Sequence, residues 1–184
     1  MSETNKTALA DGDKFFILGE FDEVLIESVV VPLTKKIDEL AKVRDAKLMV
    51  TINSPGGDGY IVMHIVQLLE LAKAKGITVQ TVVPQVAFSA GSILAVAGSE
   101  GHRYIGRTAE HLIHYGSIAA RSLTPLQVER QAEYQKRWFA KLLGHYEKYA
   151  KVPNLATQIK DDNFFTTAAD CLKWSLADKY MDEL

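Results

Sequence analysis

One cysteine, Cys171, stands among 184 residues. That excludes an internal disulfide framework and a zinc site built from several cysteines, and it fits a reducing compartment. Cys171 reads as a small buried hydrophobe near the C-terminus. An excess of charge is also missing: 21 Lys and Arg face 23 Asp and Glu, a formal net charge of −2 at pH 7. Such a balance offers no large positive field for phosphates or anionic lipid, so neither nucleic acid nor a membrane is expected as a partner. No apolar run approaches the roughly 20 residues that span a bilayer, the longest being broken by Gly, Pro or Ser. Residues 1–14 are polar and lack the basic start and apolar centre of a secretory signal. They read as a disordered lead, and the protein is expected in the cytoplasm.

What is present suits a soluble globular chain: 47% hydrophobic and 24% charged residues, in a length that fits about one domain, placed over residues 15–184. Phe15 to Leu18 reads as a strand. From Glu23 to Ala41, Leu25, Ile26, Val29, Val30, Leu33, Ile37 and Leu40 recur at helical spacing. Pro32 lies inside that pattern, so the helix kinks there or starts late. Lys47 to Ile52 reads as a buried strand, Tyr60 to Lys75 as a helix stopped by Gly76, and Ile77 to Val83 as a strand ended by Pro84. Ser89 to Ala97 is small and apolar, as in a helix packed closely on a sheet. Strands follow at Arg103 to Ile105 and His111 to Tyr115, then a long charged helix from Leu123 to Tyr149. In the tail, short helices are expected around Phe164-Phe165 and from Ala168 to Trp174. Strands alternating with helices indicate an α/β fold.

Two strand-to-helix junctions carry unusual residues. At Asn53-Ser54-Pro55-Gly56-Gly57, adjacent glycines relax steric limits and let backbone N–H groups approach a ligand. At Gln85 to Ser92, small residues lead into a helix, and a serine at its start lies near free N–H groups where an oxyanion is stabilised. The plain alternatives are a turn and an N-cap. Neither loop has the lysine of a phosphate-binding loop or the glycine spacing of a dinucleotide fingerprint, so neither cofactor nor metal is expected.

A serine nucleophile needs a base and a group to orient it. His114 ends an apolar strand, where its imidazole emerges at the sheet edge. His111, three positions earlier, points to the opposite face. His64, His102, His111 and His145 read as surface or core residues. Asp161 or Asp162, ahead of Phe164-Phe165, would receive the Nδ1 proton, although paired acids before a helix are ordinarily a solvated cap. Ser92, inside the helix, is the nearest rival to Ser89 and reads as a packing residue, while Ser54 shapes the turn.

Taken together these residues resemble ClpP, the proteolytic subunit of the caseinolytic (Clp) protease. That family carries an N-S-P-G-G loop, a serine in an A-x-S-x-G turn, a histidine in an I-H strand end and an aspartate in a D-x-F segment. The matches are Asn53 to Gly57, Ala87 to Gly91, Ile113-His114 and Asp162-Asn163-Phe164, in the family's order, and the resemblance runs from about Phe15 to the C-terminus. It implies a ClpP/crotonase-type fold of repeated β-β-α units with a projecting handle helix at 123–149. It implies Ser89 as nucleophile, His114 as base and then acid, and Asp162 as the residue fixing the imidazole. The N–H groups of Gly57 and Ala90 would form the oxyanion hole. Gly57, Asp58 and Gly59, with Tyr115 and Gly116, would pair with an extended peptide. A polypeptide substrate and a ring-forming homo-oligomer, a heptamer or tetradecamer, are implied as well.

Departures accompany the matches. Gln85-Val86 replace the family's Gly-Gln before the nucleophile turn, and Tyr115-Gly116 replace Gln-Pro after the base. Asp161 and Asn163 replace the basic residue linked to stacking of two rings. The polar lead is shorter than the arm that docks an ATP-dependent unfoldase, so that partner has weak support. These features fit a compact phage or plasmid relative. The readings set against a serine peptidase of this kind are an acyl-CoA enzyme of the crotonase group, a Ser-Lys dyad peptidase and an inactive ring subunit acting as a scaffold.

Overall fold

In the computed structural model, which describes residues 8–116, 124–160 and 163–184, the chain begins with a hairpin of β1 (Ala8–Asp11) and β2 (Lys14–Ile17). The disordered lead expected through residue 14 is therefore corrected from Ala8 onward, because the β1 backbone finds a ladder on β2. A π-helical turn, Ile26–Val30, runs into α1 (Val31–Leu40) with Pro32 at its start. Of the two outcomes Pro32 allowed, the helix is distorted rather than late: helical backbone already runs from residue 24, and the π-helical turn just before the proline is the irregularity. There follow β3 (Lys47–Ile52), α2 (Gly59–Ala74), β4 (Thr78–Val83), β5 (Val86–Phe88) and α3 (Ala90–Ala95). The chain continues through β6 (Arg103–Ile105), β7 (Glu110–Ile113), α4 (Pro125–Tyr149) and α5 (Leu155–Gln158). It closes with β8 (Phe164–Thr167), α6 (Ala168–Lys173) and β9 (Lys179–Tyr180).

Among the described residues the larger sheet has six strands in the order β1-β2-β3-β4-β6-β9, parallel except for the β1–β2 pair. Its centre is β4, where Val79, Thr81, Val82 and Val83 are all buried, as expected of a parallel strand covered on both faces. A second sheet, β5-β7-β8, leans against it. The tail expectation is corrected here: Phe164–Thr167 is not a helix but a strand pairing antiparallel with β7, with His111 opposite Thr166. Two β-branched threonines and an open β7 edge favour the ladder over a helical turn.

Helix α2 starts where the Asp58 carboxylate accepts from the N–H groups of Tyr60 and Ile61. Helix α4 starts at a capping box between Thr124 and Gln127; Leu123 lies outside the described residues. From Thr124 to Arg130 every residue is exposed, whereas Leu142, His145 and Tyr146 are buried. Among the described residues no helix is long and apolar enough to cross a membrane.

An ion pair closes the far side of the sheet. Arg103 on β6 donates through Nε and Nη2 to Asp178, at 2.8 and 2.5 Å, and through Nη1 to the Tyr149 carbonyl oxygen at 2.8 Å. The two side chains are 6% and 15% exposed, so removing one leaves a charge stranded. Burial alone would raise the Asp178 carboxyl, yet the Arg103 guanidinium holds it below the usual range. Asp178→Ala is expected to lose about 3 kcal/mol, a fall of about 6–12 °C in melting temperature. A calorimetric shift below about 2 °C would show that the pair is not the fastening described.

Candidate active site

The two unusual junctions form a single unit. Ser54 N–H donates to the Val86 carbonyl oxygen at 3.0 Å, Phe88 N–H to that of Ser54 at 3.0 Å, and Val86 N–H to Asn53 Oδ1 at 3.1 Å. The loop after β3 is thereby stitched to β5, the strand that delivers Ser89. Ser54 shapes the turn, its Oγ accepting from Gly56 N–H at 3.1 Å. Gly56 and Gly57 have φ of 116° and 136°, values that L side chains rarely adopt. A Cβ on Gly57 would lie 2.5 Å from the Phe21 backbone, and one on Gly56 would lie 2.7 Å from Ser89 Cβ. Phe21 bridges this loop by donating to Gly56 O at 2.8 Å and accepting from Asp58 N–H at 2.7 Å. That bridge leaves the Gly57 amide out of the hydrogen bonds that Phe21 makes. Ala90 is the first residue of α3, so its N–H has no acceptor within the helix.

Ser89 stands between β5 and α3 with φ 52° and ψ −116°, and its side chain makes no cap. Its hydroxyl instead meets His114 Nε2 at 2.7 Å, within reach of proton transfer. His114 lies just past the end of β7 rather than on it. Burial pushes its imidazole below the ordinary range, and a hydrogen bond with the Asn163 side chain acts in the opposite direction. Asp161 and Asp162 lie outside the described residues. Asn163, one position beyond Asp162, was not singled out from the sequence as a partner of the ring; its place in the D-x-F motif was the available signal.

Ser89 and His114 open onto a cavity of about 590 Å³. Gly57, Asp58, Gly59, Tyr115 and Gly116, named above as substrate contacts, all line it, as does Ala90. The Asp58 carboxylate is taken by the α2 cap, its N–H by the Phe21 carbonyl oxygen and its own carbonyl oxygen by Val62 N–H. Tyr115 packs on Phe139 with ring centroids 4.5 Å apart. Opposite the serine the wall is Ile93, Trp138, Leu142 and Tyr146, three of them from α4. Trp138, Leu142 and Tyr146 fall within the long charged helix read from the sequence, and nothing local in it indicated that they face a cavity. Tyr60 and Tyr134 join across the rim through their hydroxyls at 2.5 Å.

A strained serine at a strand-to-helix turn, a histidine on its hydroxyl and two glycines beside it define a serine hydrolase of the α/β class. The Clp protease family model matches residues 4–183, nearly the whole chain. The ATP-dependent Clp protease proteolytic subunit of Deinococcus radiodurans is 30% identical over 76% of this chain and 67% of its own length. The subunit of the same description from Streptococcus mutans is 26% identical over 92% of this chain and 85% of its own. The chain belongs to the Clp protease family and is a serine-type endopeptidase.

To take the serine proton His114 must be neutral, and burial disfavours its charged form. The rate constant for fluorophosphonate labelling is therefore expected to rise with pH through a midpoint below about 6.5, the ordinary imidazole value, and then level. A rate constant that stays flat with pH through the imidazole range would overturn His114 as the group that takes the proton.

Proposed function

We propose that this chain cleaves peptide bonds of unfolded or short polypeptides at Ser89, inside a chamber made by a ring of identical subunits. The observation that carries the reading is the 2.7 Å contact between Ser89 Oγ and His114 Nε2 at the mouth of the cavity. Ser89 Oγ attacks the substrate carbonyl carbon while His114 Nε2 takes its proton. The carbonyl oxygen, now negative, sits between the N–H groups of Gly57 and Ala90. His114 passes the proton to the leaving amine, and a water activated by the same ring releases the acyl group. Asp162 fixes the imidazole by its place in the Asp162-Asn163-Phe164 motif, with Asp161 as the alternative acid. The substrate strand runs along Gly57 to Gly59 on one side and Tyr115-Gly116 on the other.

Kinship supports a ring, a heptamer or a stacked tetradecamer, and a cytoplasmic setting. An ATP-dependent partner rests on the relatives' names alone. A crotonase-like acyl-CoA enzyme would have no use for the serine–histidine contact, which disfavours that alternative.

Ser89→Ala is expected to abolish both peptidase turnover and fluorophosphonate labelling, and labelling that persists in it would overturn the assignment. Asp162→Asn should lower kcat on the order of 10³-fold with KM little changed, while Asn163→Ala stays within about tenfold of the parent. The reverse ranking would make Asn163 the group that orients the ring. Native mass spectrometry of the same preparations should give a multiple of seven subunits, and a monomer would remove the chamber.

A further inference from the structure

Beneath the active serine lies a second serine–histidine contact, displaced by three residues on each side. Ser92 on α3 follows Ser89 by three residues, and His111 on β7 precedes His114 by three. Ser92 Oγ meets His111 Nδ1 at 3.2 Å and accepts a hydrogen bond from Tyr146 Oη at 3.0 Å. Ser92 and His111 are both 0% exposed, so neither reaches a substrate. The same helix and the same strand are thus joined twice, by Ser89–His114 on the cavity side and by Ser92–His111 in the core. Tyr146 ties that inner pair to α4, and its neighbour His145 donates from Nε2 to the Ile93 carbonyl oxygen at 2.7 Å.

The inner contact is costly to keep. His111 Nε2 is buried with no hydrogen-bond partner among the described residues, and such an atom costs about 1–3 kcal/mol. An aliphatic side chain would fill the site without that cost. Ser89, meanwhile, holds a backbone conformation that persists where its surroundings over-determine it, and α3, at six residues, is too short to stabilise itself. Burial pushes the His111 ring down to about 4, so it stays neutral where peptidases of neutral compartments work. The titratable groups around this core are His145 and Tyr146 on α4 and Cys171 on α6. Burial lowers His145 and raises Tyr146 and Cys171, so all three stay uncharged beside it.

We propose that Ser92, His111 and Tyr146 are positioning residues for catalysis, a buried hydrogen-bonded unit that sets the distance between the Ser89 hydroxyl and the His114 ring. This rests on the reading of Ser89 as nucleophile. The unit predicts that removing the Tyr146 hydroxyl harms chemistry rather than binding, because the ring stays in the cavity wall while the Ser92 anchor loses its donor.

The test compares the full-length parent with Tyr146→Phe, Ser92→Ala and the double variant, at a temperature well below each melting transition. Peptide turnover and the rate constant for fluorophosphonate labelling are measured for each. Each single variant is expected to lose about tenfold or more in labelling rate and in kcat, with KM within about twofold, and the double variant to lose no more than the worse single one. Parental rates in both single variants, a change confined to KM, or additive losses in the double variant would overturn the proposal. Should Ser92→Ala fail to fold, Tyr146→Phe decides alone, since it keeps the ring and removes one oxygen. A parent that is not labelled at Ser89 would instead overturn the assignment of the nucleophile.

Discussion

Ser89 is held at φ 52° and ψ −116°, outside the basins open to most residues, and the rest of the site is arranged around that turn. The conformation lets one residue end β5, start α3 and still aim its hydroxyl across at β7. Its N–H donates to the Leu112 carbonyl oxygen at 2.8 Å, and its own carbonyl accepts from Ile93 N–H at 3.1 Å. A strained residue costs about 1–3 kcal/mol, so it needs rigid neighbours that leave no room to relax. This accounts for the small residues nearby. A Cβ on Gly91 would sit 3.1 Å from the Ser54 carbonyl oxygen, and the fully buried α3 admits little bulk around its first turn. The paired glycines answer the same demand from the other side, one pressed on Ser89 and one on Phe21.

Most of the scaffold was legible because its signals are local. The apolar run Lys47–Ile52 marked β3, and the helix stopped by Gly76 marked α2 to within a residue or so. The Ser89 turn and the strand end that carries His114 were legible because small residues before a helix and an apolar strand ending in histidine are short patterns. Three things were not. Ala8–Asp11 lies in a lead that is polar as a whole and reads as unstructured, and it becomes a strand only because β2 offers an edge. Phe164–Thr167 reads equally as a helical turn until β7 supplies a ladder. The inner pair was the hardest: His111 and Ser92 are far apart in sequence, each has a bland role on its own, and the meeting of α3, β7 and α4 alone joins them.

Helix α4 then has two halves with different obligations. Its last turns are committed to the core. Burial alone would raise the Glu70 carboxyl on α2, but hydrogen bonds from Lys148, Lys73 and Tyr149 overcome that effect and hold it at about 2. The carbonyl of Tyr149 is taken by Arg103, and His145 and Tyr146 grip α3. The cavity wall is therefore fixed by the same contacts that fasten α3, and a shift of this half would disturb the wall and the Ser89 turn together. The first turns, Thr124 to Arg130, have no such ties among the described residues: all seven are exposed, Leu126 and Val128 by 56% and 51%. A subunit of about 20.4 kDa with a net charge of −2 meets little long-range repulsion from its copies. The division suits an assembly in which one end of the helix keeps the catalytic geometry and the other is left for a neighbouring subunit, so that ring contacts need not strain the site they enclose.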